Sequence, residues 1–157
     1  MSSQKLKKMY SLLPYPGENN HENFFIKGVY PYIKDCDFEN ILEAGCGTGA
    51  VLSDIVKMYP ESNVIAIDFT EKSLKKAKEK FNDNTKVNFK LLDLISNKMK
   101  DIGQFDFIHC QGVLHHLDDP EKGLKNLFDC LKPDGKLYLW VYLKKGRQEI
   151  SDIKELM

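Results

Sequence analysis

The sequence predicts an α/β domain whose mostly parallel sheet carries helices on both faces. Two observations indicate this class. After Phe38, short apolar runs alternate with segments whose apolar residues recur at helical spacing, which is typical of strand–helix–strand units. In addition, the runs at residues 40–44, 63–67 and 105–110 are predominantly apolar and do not alternate with polar residues, as is typical of strands buried on both faces. At ~150 residues per domain, the 157-residue chain corresponds to one domain.

The N-terminal region is predicted to be helical and interrupted by a loop. A short polar helix precedes Leu13, and two prolines and a glycine between Leu13 and Asn20 exclude regular structure there. A second helix begins at Asn23, and Pro31 is expected to kink or end it. Its apolar residues on one side are Phe25, Val29, Tyr32 and Ile33.

Five strands and three helices are predicted after this region. The strands are residues 40–44, 63–67, 86–92, 105–110 and 136–143, and the helices are residues 50–58, 71–81 and 120–131, with a weak helical turn at 97–101. Thr70 is suited to cap the second of these helices. The fifth strand has no polar alternation between Leu137 and Leu143, which predicts burial on both faces, with Trp140 in the core.

Composition and charge exclude several classes of protein. The 23 basic and 23 acidic residues cancel, so the charge excess typical of nucleic-acid binders is missing. No segment approaches the ~20 apolar residues of a membrane span, and the polar N-terminus does not resemble a signal peptide, which predicts a cytoplasmic protein. The four cysteines are widely spaced, which favours free thiols and argues against a metal site.

The chemistry is concentrated where the first predicted strand meets a helix. Here the chain reads Glu43-Ala44-Gly45-Cys46-Gly47-Thr48-Gly49. Glycines in such a turn let a ligand approach backbone N–H groups and the positive end of the helix. Asp68 closes the second strand, where an acidic side chain can accept hydrogen bonds from ribose hydroxyls. Together these features predict a nucleotide-type cofactor site.

Two cofactor classes fit the glycines, and Glu43 separates them. Gly45, Gly47 and Ala50 also satisfy a variant of the dinucleotide fingerprint, but a carboxylate beside a pyrophosphate is unfavourable. The ammonium group of S-adenosylmethionine would be attracted to Glu43, unless Glu43 pairs with a lysine instead. The same cofactor offers an adenine to Asp93, which lies between Leu92 and Leu94 after the third strand.

The sequence resembles the class I, Rossmann-like S-adenosylmethionine-dependent methyltransferases between residues 38 and 143. The similar segments are Glu43 to Gly49, Ile65 to Asp68, Leu92-Asp93, Phe105 to Leu117 and Leu131 to Leu137. The resemblance implies strand order 3-2-1-4-5, with the cofactor over the carboxyl ends of strands one and two. It also places Gln111 and Gly112 near the methionine moiety and Phe69 against the adenosine. The expected cofactor contacts are Glu43, Gly45, Cys46, Gly47, Asp68, Phe69, Asp93, Leu94 and Gln111, with Cys46 acting through its backbone.

The function implied is methyl transfer to an unidentified acceptor, with a small molecule favoured. Because the sulfonium is already a good leaving group, alignment of the acceptor supplies most of the acceleration. His115 and His116 are candidate general bases, and a role in the pocket wall is their alternative. Two other functions remain open: a non-catalytic cofactor-binding module, either a fragment or a partner-dependent subunit, and an NAD-dependent oxidoreductase, which Glu43 disfavours.

The expected domain organisation is an N-terminal helical segment at residues 1–37 and a methyltransferase core at 38–157. Pro14-Tyr15-Pro16-Gly17 forms either a lid over the cofactor or an ordinary surface loop. The resembled family usually continues through two more strands, whereas this chain stops at Met157 after the start of an amphipathic helix with Ile150, Ile153 and Leu156. The open edge of strand five therefore predicts either a missing C-terminal region or self-association to cover it.

Overall fold

The computed structural model describes residues 3–15 and 24–142, which contain one five-stranded sheet. All neighbouring strands are parallel, and their order is β3-β2-β1-β4-β5. This arrangement confirms the predicted doubly wound α/β fold. The strands are β1 (Asn40–Ala44), β2 (Asn63–Asp68), β3 (Val87–Leu91), β4 (Phe105–Gln111) and β5 (Leu131–Trp140).

The helices cover both faces of the sheet, as the buried strands require. They are α1 (Ser3–Leu12), α2 (Phe24–Gly28), α3 (Tyr30–Ile33), α4 (Ala50–Met58), α5 (Glu71–Lys80) and α6 (Pro120–Asp129), with 3-10 turns at Asn97–Asp101 and Leu114–His116. One core cluster joins α2 and α4 to the sheet through Phe25, Leu52 and Phe107, and a second joins α6 to it through Leu127 and Ile108. No helix in the described ranges is long and apolar enough to cross a membrane.

The helix predicted from Asn23 onward is broken earlier than expected. Residue 29 separates two short helices, and Pro31 lies in the first turn of α3, where its missing N–H removes no helical hydrogen bond. Phe25, Val29 and Ile33 are buried as predicted. Tyr32 is 84% exposed, so its predicted place on the buried side is wrong. The break at residue 29 changes the rotation of the second segment, and Tyr32 therefore faces water.

The fifth strand begins and ends earlier than the predicted range 136–143. Leu131 already pairs with Phe105, and the next pair is Phe107 with Lys136, so residues 132–135 form an irregular bulge within β5. Because Leu131 already belongs to β5, α6 ends at Asp129 rather than at residue 131 as predicted. Burial on both faces is also wrong for this strand, because Leu139 is 36% exposed. In the described part of the chain, β5 has a strand neighbour only on the β4 side. Leu143 and the predicted C-terminal helix lie outside the described residues.

Candidate functional site

A cleft of about 1070 Å³, partly open to solvent, lies at the carboxyl ends of the central strands. Every residue predicted to contact the cofactor contributes to its wall: Glu43, Gly45, Cys46, Gly47, Asp68, Phe69, Asp93, Leu94 and Gln111. His116 also lines the cleft, whereas His115 is not one of the lining residues and packs against Tyr142. The structure therefore brings together residues from four strand ends that are far apart in the sequence.

The glycine turn between β1 and α4 has a backbone conformation that requires glycine. Gly45 has a φ of 81° and Gly47 a φ of 52°, both in the left-handed region. A Cβ atom on Gly45 would lie 2.3 Å from Cγ2 of Val113, which is far inside van der Waals contact. The N–H groups of Gly45 and Cys46 both donate to the carbonyl oxygen of Ile67 at 2.9 Å. These bonds fasten the turn to the end of β2.

Asp68 connects the glycine turn to the residue that precedes α5 through its hydrogen bonds. Its Oδ2 accepts from the N–H of Gly47 at 3.0 Å, and its Oδ1 accepts from the N–H and the hydroxyl of Thr70 at 2.8 and 2.6 Å. Burial raises the pKa of Asp68 above 3.8, although the hydrogen bonds from Thr70 and Gly47 act in the opposite direction. Because an ionised carboxylate offers about four acceptor positions, these three bonds leave capacity for a ligand hydroxyl.

Thr70 does not cap α5 in the predicted way. It occupies the position before the helix, but its side chain makes no hydrogen bond to the first turn of α5. Its hydroxyl donates to Asp68 instead. The start of α5 after Thr70 is thus as predicted, but the Thr70 side chain does not bond to the N–H groups of the helix as an N-cap would. The consequence is that Thr70 orients the acidic side chain of the cleft.

Glu43 lies on the central strand β1, and its side chain is almost fully buried. Its Oε2 is 2.8 Å from Nδ1 of His109, the residue beside it on β4. The two atoms lie at ion-pair distance, and neither has a hydrogen-bond partner elsewhere among the described residues. The partner is thus a histidine and not the lysine considered as an alternative. Gln111 Oε1 is likewise buried without a hydrogen-bond partner among the described residues.

The third strand contributes the opposite wall of the cleft. Asp93 follows β3, and its Oδ1 accepts from the N–H of Ile95 at 3.1 Å. Leu94 beside it is buried and also belongs to the core cluster that contains α6. The ring of Phe69, which follows β2, meets that of Tyr10 on α1 edge-on, with centroids 6.2 Å apart. This wall therefore combines a carboxylate with apolar surface, which suits an aromatic ring that bears an amine.

The environment of Cys46 favours the protonated thiol, which is a poor nucleophile. Burial raises the pKa of its thiol well above 9.0, and the nearby carboxylates of Asp68 and Glu43 raise it further. The thiol therefore stays protonated at neutral pH. All four cysteines are free, and the described residues contain no cluster of three or more side chains suited to a metal ion.

The N-terminal segment closes one side of the cleft. The hydroxyl of Tyr10 is 3.4 Å from Nε2 of His116, and that nitrogen is 3.1 Å from Nε2 of His115. Tyr15, from the segment considered as a lid, lines the cleft, and its carbonyl oxygen accepts from the N–H of Thr48 at 3.2 Å. Pro16 and Gly17 lie outside the described residues.

Sequence reasoning missed Tyr10 and His109. No pattern in the polar helix α1 indicates where it packs, so the contact between Tyr10 and His116 follows only from the tertiary structure. His109 does carry a signal, because it is a polar residue in the otherwise apolar end of β4, two positions before Gln111 and hence on the same face. Its neighbour Glu43 depends on the strand register, which the sequence does not reveal.

Fold and site together define an α/β domain with a nucleotide-type cofactor cleft at its topological switch point. The chain belongs to the methyltransferase domain family, whose model matches residues 42–137. This match confirms the resemblance found in the sequence.

Similar proteins agree with this assignment. An uncharacterized protein of Synechococcus sp. is 38% identical over 118 residues, covering 73% of this chain and 28% of that protein. Malonyl-[acyl-carrier protein] O-methyltransferase 1 of Ilyobacter polytropus is 31% identical over 113 residues, covering 72% of this chain and 41% of the enzyme. The N-methyltransferase NodS from Bradyrhizobium japonicum, solved with S-adenosyl-l-homocysteine, shares the fold with a TM-score of 0.59 at 21% identity, covering 69% of this chain and 55% of that one. The chain thus spans less than half the length of these two curated relatives.

Proposed function

We propose that this chain is a methyltransferase domain that binds S-adenosylmethionine in the cleft and transfers its methyl group to a small-molecule acceptor. The observation that carries the proposal is the buried carboxylate of Glu43 beside the glycine turn, with the unsatisfied Oε1 of Gln111 on the neighbouring strand. The second carboxylate oxygen of Glu43 and the amide oxygen of Gln111 can each accept a hydrogen bond, and an ammonium group supplies three N–H donors. A pyrophosphate supplies none and would add negative charge.

The remaining residues of the cleft fit the other parts of this cofactor. Asp68 keeps acceptor capacity for one ribose hydroxyl, and the backbone of the turn can come close to the ligand because glycine leaves no side chain there. Asp93 would accept from the exocyclic amine of the adenine, with Leu92 and Leu94 against its ring. When bound, the cofactor supplies a methyl group on a sulfonium, which is already activated for displacement.

We assign the removal of the acceptor's proton to His116. It lies in the cleft wall, and Tyr10 and His115 hold its Nε2 in place. An acceptor hydroxyl or amine becomes acidic as it gains a methyl group, so a nearby imidazole can take its proton. Cys46, the other reactive type of side chain beside the turn, stays protonated and does not take part.

A small-molecule acceptor is favoured by the character of the cleft. It is concave, only partly open to solvent, and lined by apolar side chains with a few polar groups among them, as small-molecule sites are. The name of the malonyl-[acyl-carrier protein] O-methyltransferase relative makes a carboxyl group carried on a protein the second candidate acceptor. N-terminal residues Tyr10 and Tyr15 close the cleft on one side, and we propose that they form part of its lid.

The test is methyl transfer from radiolabelled S-adenosylmethionine to the small-molecule fraction of a cell lysate. We expect labelled product with the wild-type chain and at least a tenfold slower reaction with His116→Asn, because the proton acceptor is lost while the cofactor contacts stay. If S-adenosylhomocysteine binds but no methyl group is transferred, the chain is the non-catalytic binding module instead. Failure of both binding and transfer contradicts the proposal.

A further inference from the structure

One buried polar group takes no part in the function described above. His109 lies on β4 with no exposed surface, and its register neighbours are Glu43 on β1 and Tyr138 on β5. The ring of Tyr138 is stacked on it in parallel, with centroids 5.1 Å apart and planes 4° apart. Phe25 meets the same ring edge-on at 5.6 Å. Aromatic packing therefore fixes the plane in which the two imidazole nitrogens lie.

The position of His109 is costly for stability. Its Nε2 has no hydrogen-bond partner among the described residues, and the carboxylate of Glu43, 2.8 Å away, is what its Nδ1 faces. Buried polar atoms without partners destabilise a fold, and a well-packed apolar pair of similar volume is often at least as stable as a buried ionic one. The pairing of Glu43 with His109 therefore points to a role in ligand binding.

The geometry of Glu43 suggests which role. Its Oε2 is fully buried beside His109, while the residue also reaches the wall of the cleft. A glutamate side chain has three rotatable bonds, and a donor that holds one oxygen also fixes the direction of the other. The Nδ1 atom of His109 can supply that donor, because either imidazole nitrogen can carry the hydrogen.

We propose that His109 is a positioning residue that holds Oε2 of Glu43 and so directs Oε1 toward the ammonium group of S-adenosylmethionine. This inference rests on the proposed function, since it needs the cofactor's amino-acid part beside Glu43. His109 itself does not line the cleft and does not touch the ligand. Its effect therefore depends on whether the ligand carries the ammonium group.

The experiment compares two ligands and two variants of the full chain by titration calorimetry. S-adenosylhomocysteine has the ammonium group, and 5′-methylthioadenosine has the same adenosine and sulfur without the amino acid. His109→Leu removes the donor and keeps apolar volume, whereas His109→Asn keeps an N–H near the place of Nδ1. We expect His109→Leu to weaken S-adenosylhomocysteine about tenfold, as loss of a hydrogen bond to a charged group implies, and to leave 5′-methylthioadenosine within about twofold. His109→Asn should retain most of the affinity for both.

A purely structural role predicts a different pattern. Equal weakening of both ligands by His109→Leu, or no weakening of either, overturns the positioning role. If His109→Leu does not fold, His109→Gln replaces it, because its amide reaches toward the place of Nε2 and away from Glu43. Glu43→Gln separates the two proposals: if it weakens S-adenosylhomocysteine and the His109 variants do not, only the positioning role fails. If the wild-type chain does not bind S-adenosylhomocysteine, both proposals fail.

Discussion

The glycine turn permits a quantitative prediction, because the substitution Gly45→Ala has two separable costs. The residue has a φ of 81°, and an L-residue in the left-handed region costs about 1–2 kcal/mol. The added methyl group would also lie 2.3 Å from Val113 Cγ2, and overpacking of this kind costs about 1–3 kcal/mol. We therefore expect Gly45→Ala to lower the free energy of unfolding by about 2–5 kcal/mol.

A second variant separates the backbone cost of Gly45→Ala from its overpacking cost. Val113→Ala removes the methyl groups that the new Cβ would meet, so in that background Gly45→Ala should cost about 1–3 kcal/mol less. Gly103→Ala is the control for the backbone alone, since Gly103 has a φ of 109° and no heavy atom within 4 Å of the added Cβ. Urea denaturation at equilibrium measures all of these variants.

The prediction is refuted if Gly45→Ala lowers the free energy of unfolding by the same amount in the wild-type and Val113→Ala backgrounds. That result would mean that the turn moves away from Val113 at no cost, and that the close approach seen in the structure does not constrain the chain. A cost for Gly45→Ala below about 1 kcal/mol would also contradict the requirement for glycine at a positive φ.

Three further predictions concern single side chains. Asp68→Asn should weaken the binding of S-adenosylhomocysteine at least tenfold in a calorimetric titration. It should also destabilise the chain by about 1–2 kcal/mol, because an amide NH2 group facing the N–H of Gly47 cannot accept a hydrogen bond from it. Unchanged affinity would argue against the proposed ribose contact. His116→Asn and His115→Asn should each leave the affinity for S-adenosylhomocysteine within about twofold of the wild-type value. Turnover should fall further for His116→Asn than for His115→Asn, because of these two histidines His116 is the one that lines the cleft. A tenfold loss of affinity in either variant would indicate that the histidine contacts the cofactor. Burial raises the pKa of Asp106, but hydrogen bonds from Lys132, Asn40 and Glu39 outweigh it and hold this pKa below 3.8. Wild-type stability should therefore exceed that of Asp106→Asn at pH 7, and this excess should disappear as the pH falls below 3.8 through the folded-state pKa of Asp106. A constant stability difference between pH 7 and pH 2 in urea titrations would refute this prediction.

The fold was predictable wherever local patterns and burial agreed. The apolar runs of β1, β2 and β4 gave their positions within one residue, because strands buried on both faces leave no ambiguity of period. The exceptions are positions where a tertiary contact decides the outcome. Leu131 joins β5 because Phe105 offers it a pairing partner, and Tyr32 faces water because the helix breaks at residue 29.

The cleft residues were predictable to a similar extent and for a similar reason. Parallel strands bring their carboxyl ends to one edge, so Glu43, Asp68, Asp93 and Gln111 had to lie near one another. Which atoms contact each other depends on register and packing instead. The pairing of Glu43 with His109 needs the alignment of β1 and β4. The hydroxyl of Thr70 had two partners within reach: the N–H groups at the start of its own helix, from which it could accept, and Asp68, to which it donates.

The central claim is that this cleft recognises S-adenosylmethionine, and parallel calorimetric titrations of the wild-type chain with S-adenosylhomocysteine and NAD test it most directly. We expect saturable binding of one S-adenosylhomocysteine per chain and no measurable binding of NAD, because the carboxylate of Glu43 attracts an ammonium group and repels a pyrophosphate. Binding of NAD in preference to S-adenosylhomocysteine, or binding of neither, would contradict the claim.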